Sequence, residues 1–155
     1  MSDGAPICRW RTKGVILDVM PTTPDILGFG NRWYVLATEN AITIELPMSK
    51  SIRMVSAPYF LITKLEAFDG RGAGDFLMSH DIEDIIAVLD GRAEIVDEVK
   101  SSDVRLVNEL AQRLSKLLKN NQFVDAVSGH MPTDSASQAR VPIILEMIKQ
   151  IAEIN

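Results

Sequence analysis

One cysteine is too few for an internal disulfide, and Cys8 has no base beside it in sequence, so neither bridges nor a paired thiol nucleophile are in play. A small buried apolar role is the expectation for it. Histidine is almost as scarce: His130 stands alone in a loop and His80 opens a helical stretch, a distribution that supports no zinc site. Long hydrophobic runs are missing too. None approaches the ~20 residues of a membrane-spanning helix, because Asp18, Lys64 and Asp84 interrupt the longest stretches. The opening Met-Ser-Asp-Gly-Ala-Pro lacks the basic and apolar regions of a signal peptide, so a cytoplasmic chain with no membrane partner is expected. Positive charge is thin in the middle, where residues 65–109 carry four basic and twelve acidic side chains. That balance repels a nucleic-acid backbone and excludes a long phosphate-tracking groove, while leaving room for a local basic pocket.

What remains is ordinary globular material: 155 residues, 46% hydrophobic and 24% charged, read as a single domain. A chain of this size hides on the order of 70% of its unfolded surface, enough for a core without staples. Residues 1–56 read as strands and loops. Ile7 to Arg11 alternates, Thr12-Lys13-Gly14 supplies a turn, and Val15 to Met20 is an apolar run stopped by Pro21, which makes a hairpin. One short helical turn is expected within residues 26–31. Two more strands fit Ile42 to Leu46 and Ile52 to Val55, around a turn at Pro47 to Ser51.

At Ser56 the period changes from two to about 3.6, with Pro58 in the first turn. Helices are expected from Tyr59 to Phe68, Asp81 to Leu89, Ala93 to Lys100, and from a Ser102 or Asp103 cap to Asn120. The glycine-rich residues 69–74 and the stretch Ser128 to Arg140 read as loops. The last helix, Val141 to Ile154, is apolar on nearly every side and so is buried or shared with a partner chain. Strands first and helices after specify an α+β fold: a small mixed or antiparallel sheet from the N-terminal half, residues 1–56, followed by a helical bundle over residues 57–155. Uncovered edges of so small a sheet would seek another chain, which favours a homodimer.

Three places can carry chemistry. Asp18 lies inside an apolar strand. Either alternation leaves it in solvent, or it is a metal ligand at a strand end of the kind a hard cation such as Mg²⁺ takes. Lys64 has Phe60, Ala67 and Phe68 as helix neighbours, so its ammonium either snorkels to water or enters a cleft to meet phosphate or carboxylate. Asp81 and Asp84 lie three apart opposite the isoleucines of their helix. First-turn acids suit the helix dipole, and a solvated acidic start is the plain reading. The Gly70–Gly74 loop is a weak phosphate cradle, since no helix start follows it directly.

The block Ser56-Ala57-Pro58-Tyr59-Phe60-Leu61-Ile62-Thr63-Lys64-Leu65-Glu66-Ala67-Phe68, then Arg71, then Ser79-His80-Asp81-Ile82-Glu83-Asp84-Ile85-Ile86, resembles AbiEii-type minimal nucleotidyltransferases, which share a lysine helix, an arginine loop and a basic-Asp-x-x-Asp-apolar helix start. Upstream, Cys8 to Arg11 and Gly14 to Pro21 resemble the strand pair that follows the catalytic segment of that family. The likeness spans about residues 6 to 100, is most specific between 56 and 90, and does not reach the C-terminal helices. It implies a nucleotidyltransferase-like fold and metal-dependent transfer of a nucleotide from an NTP to an RNA or protein acceptor. By the same resemblance Asp18 is the metal-binding and catalytic carboxylate, Lys64 is catalytic and pairs with nucleotide phosphate, and Arg71, Asp81 and Asp84 complete the nucleotide site with Lys64. In the family a Gly-Gly or Gly-Ser turn and an Asp-x-Asp strand precede the matching region, and residues 1–7 hold neither. Two-metal phosphoryl transfer needs clustered carboxylates. The expectation is therefore an N-terminally truncated transferase, weak or inactive by itself. The alternatives are a non-catalytic remnant serving as a dimeric interaction module, or a toxin-antitoxin-type partner that blocks an intact transferase.

Overall fold

The computed structural model describes residues 8–26, 28, 30–72 and 74–154. Strands β1 (Arg9–Thr12) and β2 (Val15–Asp18) pair antiparallel, with Trp10 opposite Leu17 and Arg11 opposite Ile16. Between them Lys13 and Gly14 both have positive φ, +43° and +83°, the conformation that a two-residue hairpin turn of the right twist requires. Ile7, the first residue of the expected strand, lies outside the described residues, as do Leu27 and Phe29 of the expected helical turn. What remains of that turn is the bond from the Gly28 N–H to the Pro24 carbonyl, 2.8 Å.

A short helix, α1 (Tyr34–Glu39), precedes the second hairpin, β3 (Ile42–Leu46) and β4 (Lys50–Met54). Seven helical segments follow: α2 (Ala57–Arg71), α3 (His80–Gly91), α4 (Ile95–Lys100), α5 (Val104–Leu118), α6 (Asn121–Gly129), α7 (Ser135–Gln138) and α8 (Val141–Ala152). The α+β class agrees with the sequence, and the long helices follow the strands, but α1 lies between the two hairpins in a stretch read as strand and loop. The expected small sheet is instead two separate two-stranded antiparallel sheets, β1-β2 and β3-β4. Neither hairpin packs broadly on another element.

The core is helical. On α3, Ile82, Ile85, Ile86 and Leu89 are fully buried, and α2 covers them with Leu61, Ile62 and Leu65. Leu106, Leu110 and Leu114 of α5 pack on Ile144, Ile148 and Ile151 of α8. Thus α8 buries one face, while Ile143 on the other stays 54% exposed. Caps fall where short polar side chains stand: the Ser79 hydroxyl accepts from the Ile82 N–H, and Asp103 from the Arg105 N–H at 2.9 Å. Arg140 ties the start of α8 to the end of α3 by donating to both carboxylate oxygens of Asp90, at 2.7 and 3.0 Å. Helix α2 runs on through Asp69, Gly70 and Arg71, which composition alone assigns to a loop. Among the described residues no helix is long and apolar enough to cross a membrane.

Truncating Ile86 to Ala should cost about 2–5 kcal/mol through lost burial and a cavity. Val104→Ala, at a position 66% exposed at the start of α5, should stay within about 0.5 kcal/mol. Urea titration of both variants checks this placement of the core.

Candidate functional site: a buried carboxylate between two helices

Lys64 and Arg71 stand seven residues apart on α2, two turns along one face, and that face meets the first turn of α3. Asp81 is carried into this contact beside Ile82 and is only 3% exposed. A buried carboxylate must be paired. Arg71 donates to it from Nε at 2.9 Å and from Nη2 at 2.7 Å, a two-pronged contact, and Lys64 Nζ approaches Oδ1 at 3.4 Å. Lys64 also bridges to Asp84 and sits 5.5 Å from the centre of the Phe60 ring. The Arg71 guanidinium holds the Asp81 carboxyl below its ordinary range against the opposing effect of burial, and Asp81 in turn raises Arg71.

Lys64, Arg71, Asp81 and Asp84 therefore share one site. Its arrangement answers the choice left open at Lys64: the ammonium meets carboxylates. The solvated acidic start read for α3 is corrected at Asp81, because the first turn of α3 lies against α2. Formal charge within the cluster balances, two cations against two anions, so an incoming phosphate competes with carboxylates already in place.

Asp18 is elsewhere. It lies at the end of β2, on the face of the first hairpin that also carries Arg9 and Arg11, and accepts from Arg9 Nε and Nη2, both at 2.8 Å. That hydrogen bonding holds its carboxyl below the usual range. No group of three or more His, Cys, Asp or Glu side chains among the described residues is placed to hold a metal ion. Asp18 thus belongs to no such group, and an arginine stands where a cation would bind. His80 is exposed and bonds Glu83 at 2.9 Å, His130 Nε2 lies 2.7 Å from the Phe76 carbonyl oxygen, and the Cys8 thiol is free and half-buried.

A second charged network escaped the sequence. Arg113 of α5, mostly buried, bonds Glu109 at 2.7 Å and Asp69 at 3.1 Å and also pairs with Glu66. Arg32, in the loop before α1, joins both Glu66 and Glu109. Only the Glu109/Arg113 spacing of four was visible in sequence; the other partners are 44 and 47 residues from Arg113.

No family model, curated protein or solved structure matches this chain. The site therefore rests on its own geometry.

Asp81→Asn should destabilise the protein by about 2 kcal/mol at neutral pH, less than a wholly buried pair because Arg71 is 69% exposed. The carboxyl's folded pKa is depressed, so its contribution is full above the unfolded value near 4 and is lost as pH falls through the folded value. The stability gap between wild type and Asp81→Asn, followed by urea melts, should be constant from pH 7 to 5 and shrink below about pH 4.

Proposed function

We propose that this chain is a non-catalytic interaction module, in which a helical bundle of nucleotidyltransferase-like descent carries two hairpins that cover one another across a homodimer. One observation carries the reading. Register in β1-β2 puts Trp10, Val15 and Leu17 on one face and Arg9, Arg11, Ile16 and Asp18 on the other. That is the alternation of a half-buried hairpin, yet Trp10 is 64% exposed, Val15 59% and Leu17 55%. In β3-β4, Ile42, Ile44, Leu46, Ile52 and Met54 likewise share a face opposite Thr43, Glu45, Ser51 and Arg53, and Ile52 and Met54 are more than 40% exposed. Isolated two-stranded hairpins are marginal in water, and apolar surface of this extent marks an interaction site. A second copy supplies the same faces and the same open strand edges, the self-complementary condition of a two-fold interface.

The transferase reading draws support from the meeting of Lys64, Arg71, Asp81 and Asp84, the residues that the resemblance assigns to nucleotide. The pairing of Asp18 with Arg9 and the balanced charge of the α2-α3 cluster favour a chain that does not catalyse transfer by itself. Asp18 stands against Arg9 and outside any group of three or more metal-ligating side chains among the described residues.

Light scattering at micromolar concentration should give twice the 17.2 kDa chain mass. Leu17→Lys, which places a charge on the first hairpin's apolar face, should give the monomer mass with an unchanged helical spectrum; a monomeric wild type would sink the proposal. Calorimetry with Mg²⁺ and each NTP should show no saturable heat. Magnesium-dependent binding lost in both Asp18→Asn and Lys64→Ala would instead favour the transferase.

A further inference from the structure

Arginines in this protein are matched to acids with few exceptions. Arg9, Arg32, Arg71, Arg92, Arg105, Arg113 and Arg140 each have a carboxylate within ion-pair distance. Among the described residues Arg11 and Arg53 do not. Arg11 projects from an exposed hairpin, where water solvates it. Arg53 differs, because it borders a cleft of about 380 Å³ between the segment after β2, α1, the end of β4 and α2.

That cleft has the make-up of a small-molecule site: a mostly apolar wall with a few polar groups converging on it. Met20, Ala37, Ala41 and Val55 form the wall. Thr22, Tyr34, Thr38 and Thr63 bring hydroxyls, and no carboxylate lines the space, although the chain carries 21 acids and a net charge of −5. The hydroxyl protons of Thr38 and Thr63 are committed to the Val35 and Phe60 carbonyls at 2.8 Å each, which leaves their oxygens as acceptors. Arg53 is braced rather than loose. Its Nη2 donates to the Thr38 carbonyl at 2.6 Å and the Glu39 carbonyl at 3.2 Å, capping the end of α1. Nε and Nη1 have no partner among the described residues. The cross-strand pairing of Thr43 with Arg53 puts the guanidinium on the polar face of the hairpin, away from the apolar face assigned above to a second copy.

We infer that this cleft binds a small organic monocarboxylate with a flat apolar body, its carboxylate on Arg53 and its body against Ala37, Ala41 and Val55. One cation suits one negative charge. A nucleoside triphosphate, carrying several, would bring unmatched charge into an apolar wall, so this site is separate from any nucleotide reading of Lys64 and Arg71. A volume toward the small end of ligand pockets limits the body to about two fused rings.

The probes are 2-naphthoate and its neutral isostere 2-naphthamide, titrated into the full chain by calorimetry or saturation-transfer NMR. Naphthoate should saturate with a Kd on the order of 1 mM or below, and naphthamide should bind at least about tenfold more weakly. Arg53→Gln should weaken naphthoate about tenfold, Arg53→Lys should retain most of the affinity, and Ala41→Leu should abolish binding by filling the cleft with Arg53 in place. Equal affinity for acid and amide on the wild type overturns the inference without reliance on any variant. So does the absence of binding, or binding that survives Ala41→Leu, which would place the probe on the exposed hairpins.

Discussion

Burial of the isoleucine stripe on α3 is the constraint from which the rest of the molecule follows. Ile82, Ile85, Ile86 and Leu89 have no solvent exposure, and they achieve this because α2 lies along them and α8 closes the far side. Removing four such side chains from water favours the folded state by several kcal/mol, on the order of 2 for each. Once α2 and α3 are pressed together, whatever stands beside Ile82 goes in with it. Asp81 is that residue, and its carboxylate is tolerable there only because Arg71 and Lys64 reach it from α2. The ion cluster is a consequence of apolar packing.

The same logic separates the two halves. Helices α2 to α8 bury their stripes on one another, and from residues 9–54 the core takes in Trp33 and Ala37, with the Asn31 amide donating to the Thr63 carbonyl at 2.7 Å. The hairpins have no comparable support. Four- and five-residue strands in pairs cannot enclose a core; the first hairpin's apolar face remains in solvent, and the second's is part-covered, with Ile44 half-buried. Most buried apolar surface lies in the helices, and most exposed apolar surface in the hairpins.

Charge follows a third rule. In a chain of net charge −5, arginines serve mainly as clasps between distant elements: Arg140 to Asp90, Arg113 to Asp69 and Glu66, Arg32 to Glu66 and Glu109. These contacts are partly exposed and add little energy singly, but the shared carboxylates make a network that orients the loop before α1 against α5. Against this pattern Arg53, held by backbone carbonyls and facing a cleft without acids, is the exception that chemistry has to account for.

Local pattern determined a good deal by itself. The hairpin around Lys13-Gly14, the strands at Ile42 to Leu46 and near Ile52, the switch to helix at Ser56, the isoleucine stripe of α3 and the Asp103 cap all follow from spacing and turn chemistry, which act over a few residues. Pattern left Lys64 open between water and an anion, and only the packing of α2 on α3 brings Asp84 to it. Tertiary structure decided what depends on separate elements meeting. Helix α6 and the extension of α2 through Gly70 exist because packing outweighs weak local preference. Asp81 is buried because α2 covers it, Asp18 is claimed by Arg9 across the hairpin, and one expected sheet became two because no backbone edge joins them. Periodicity tells a strand which face is apolar. It does not say what that face will meet.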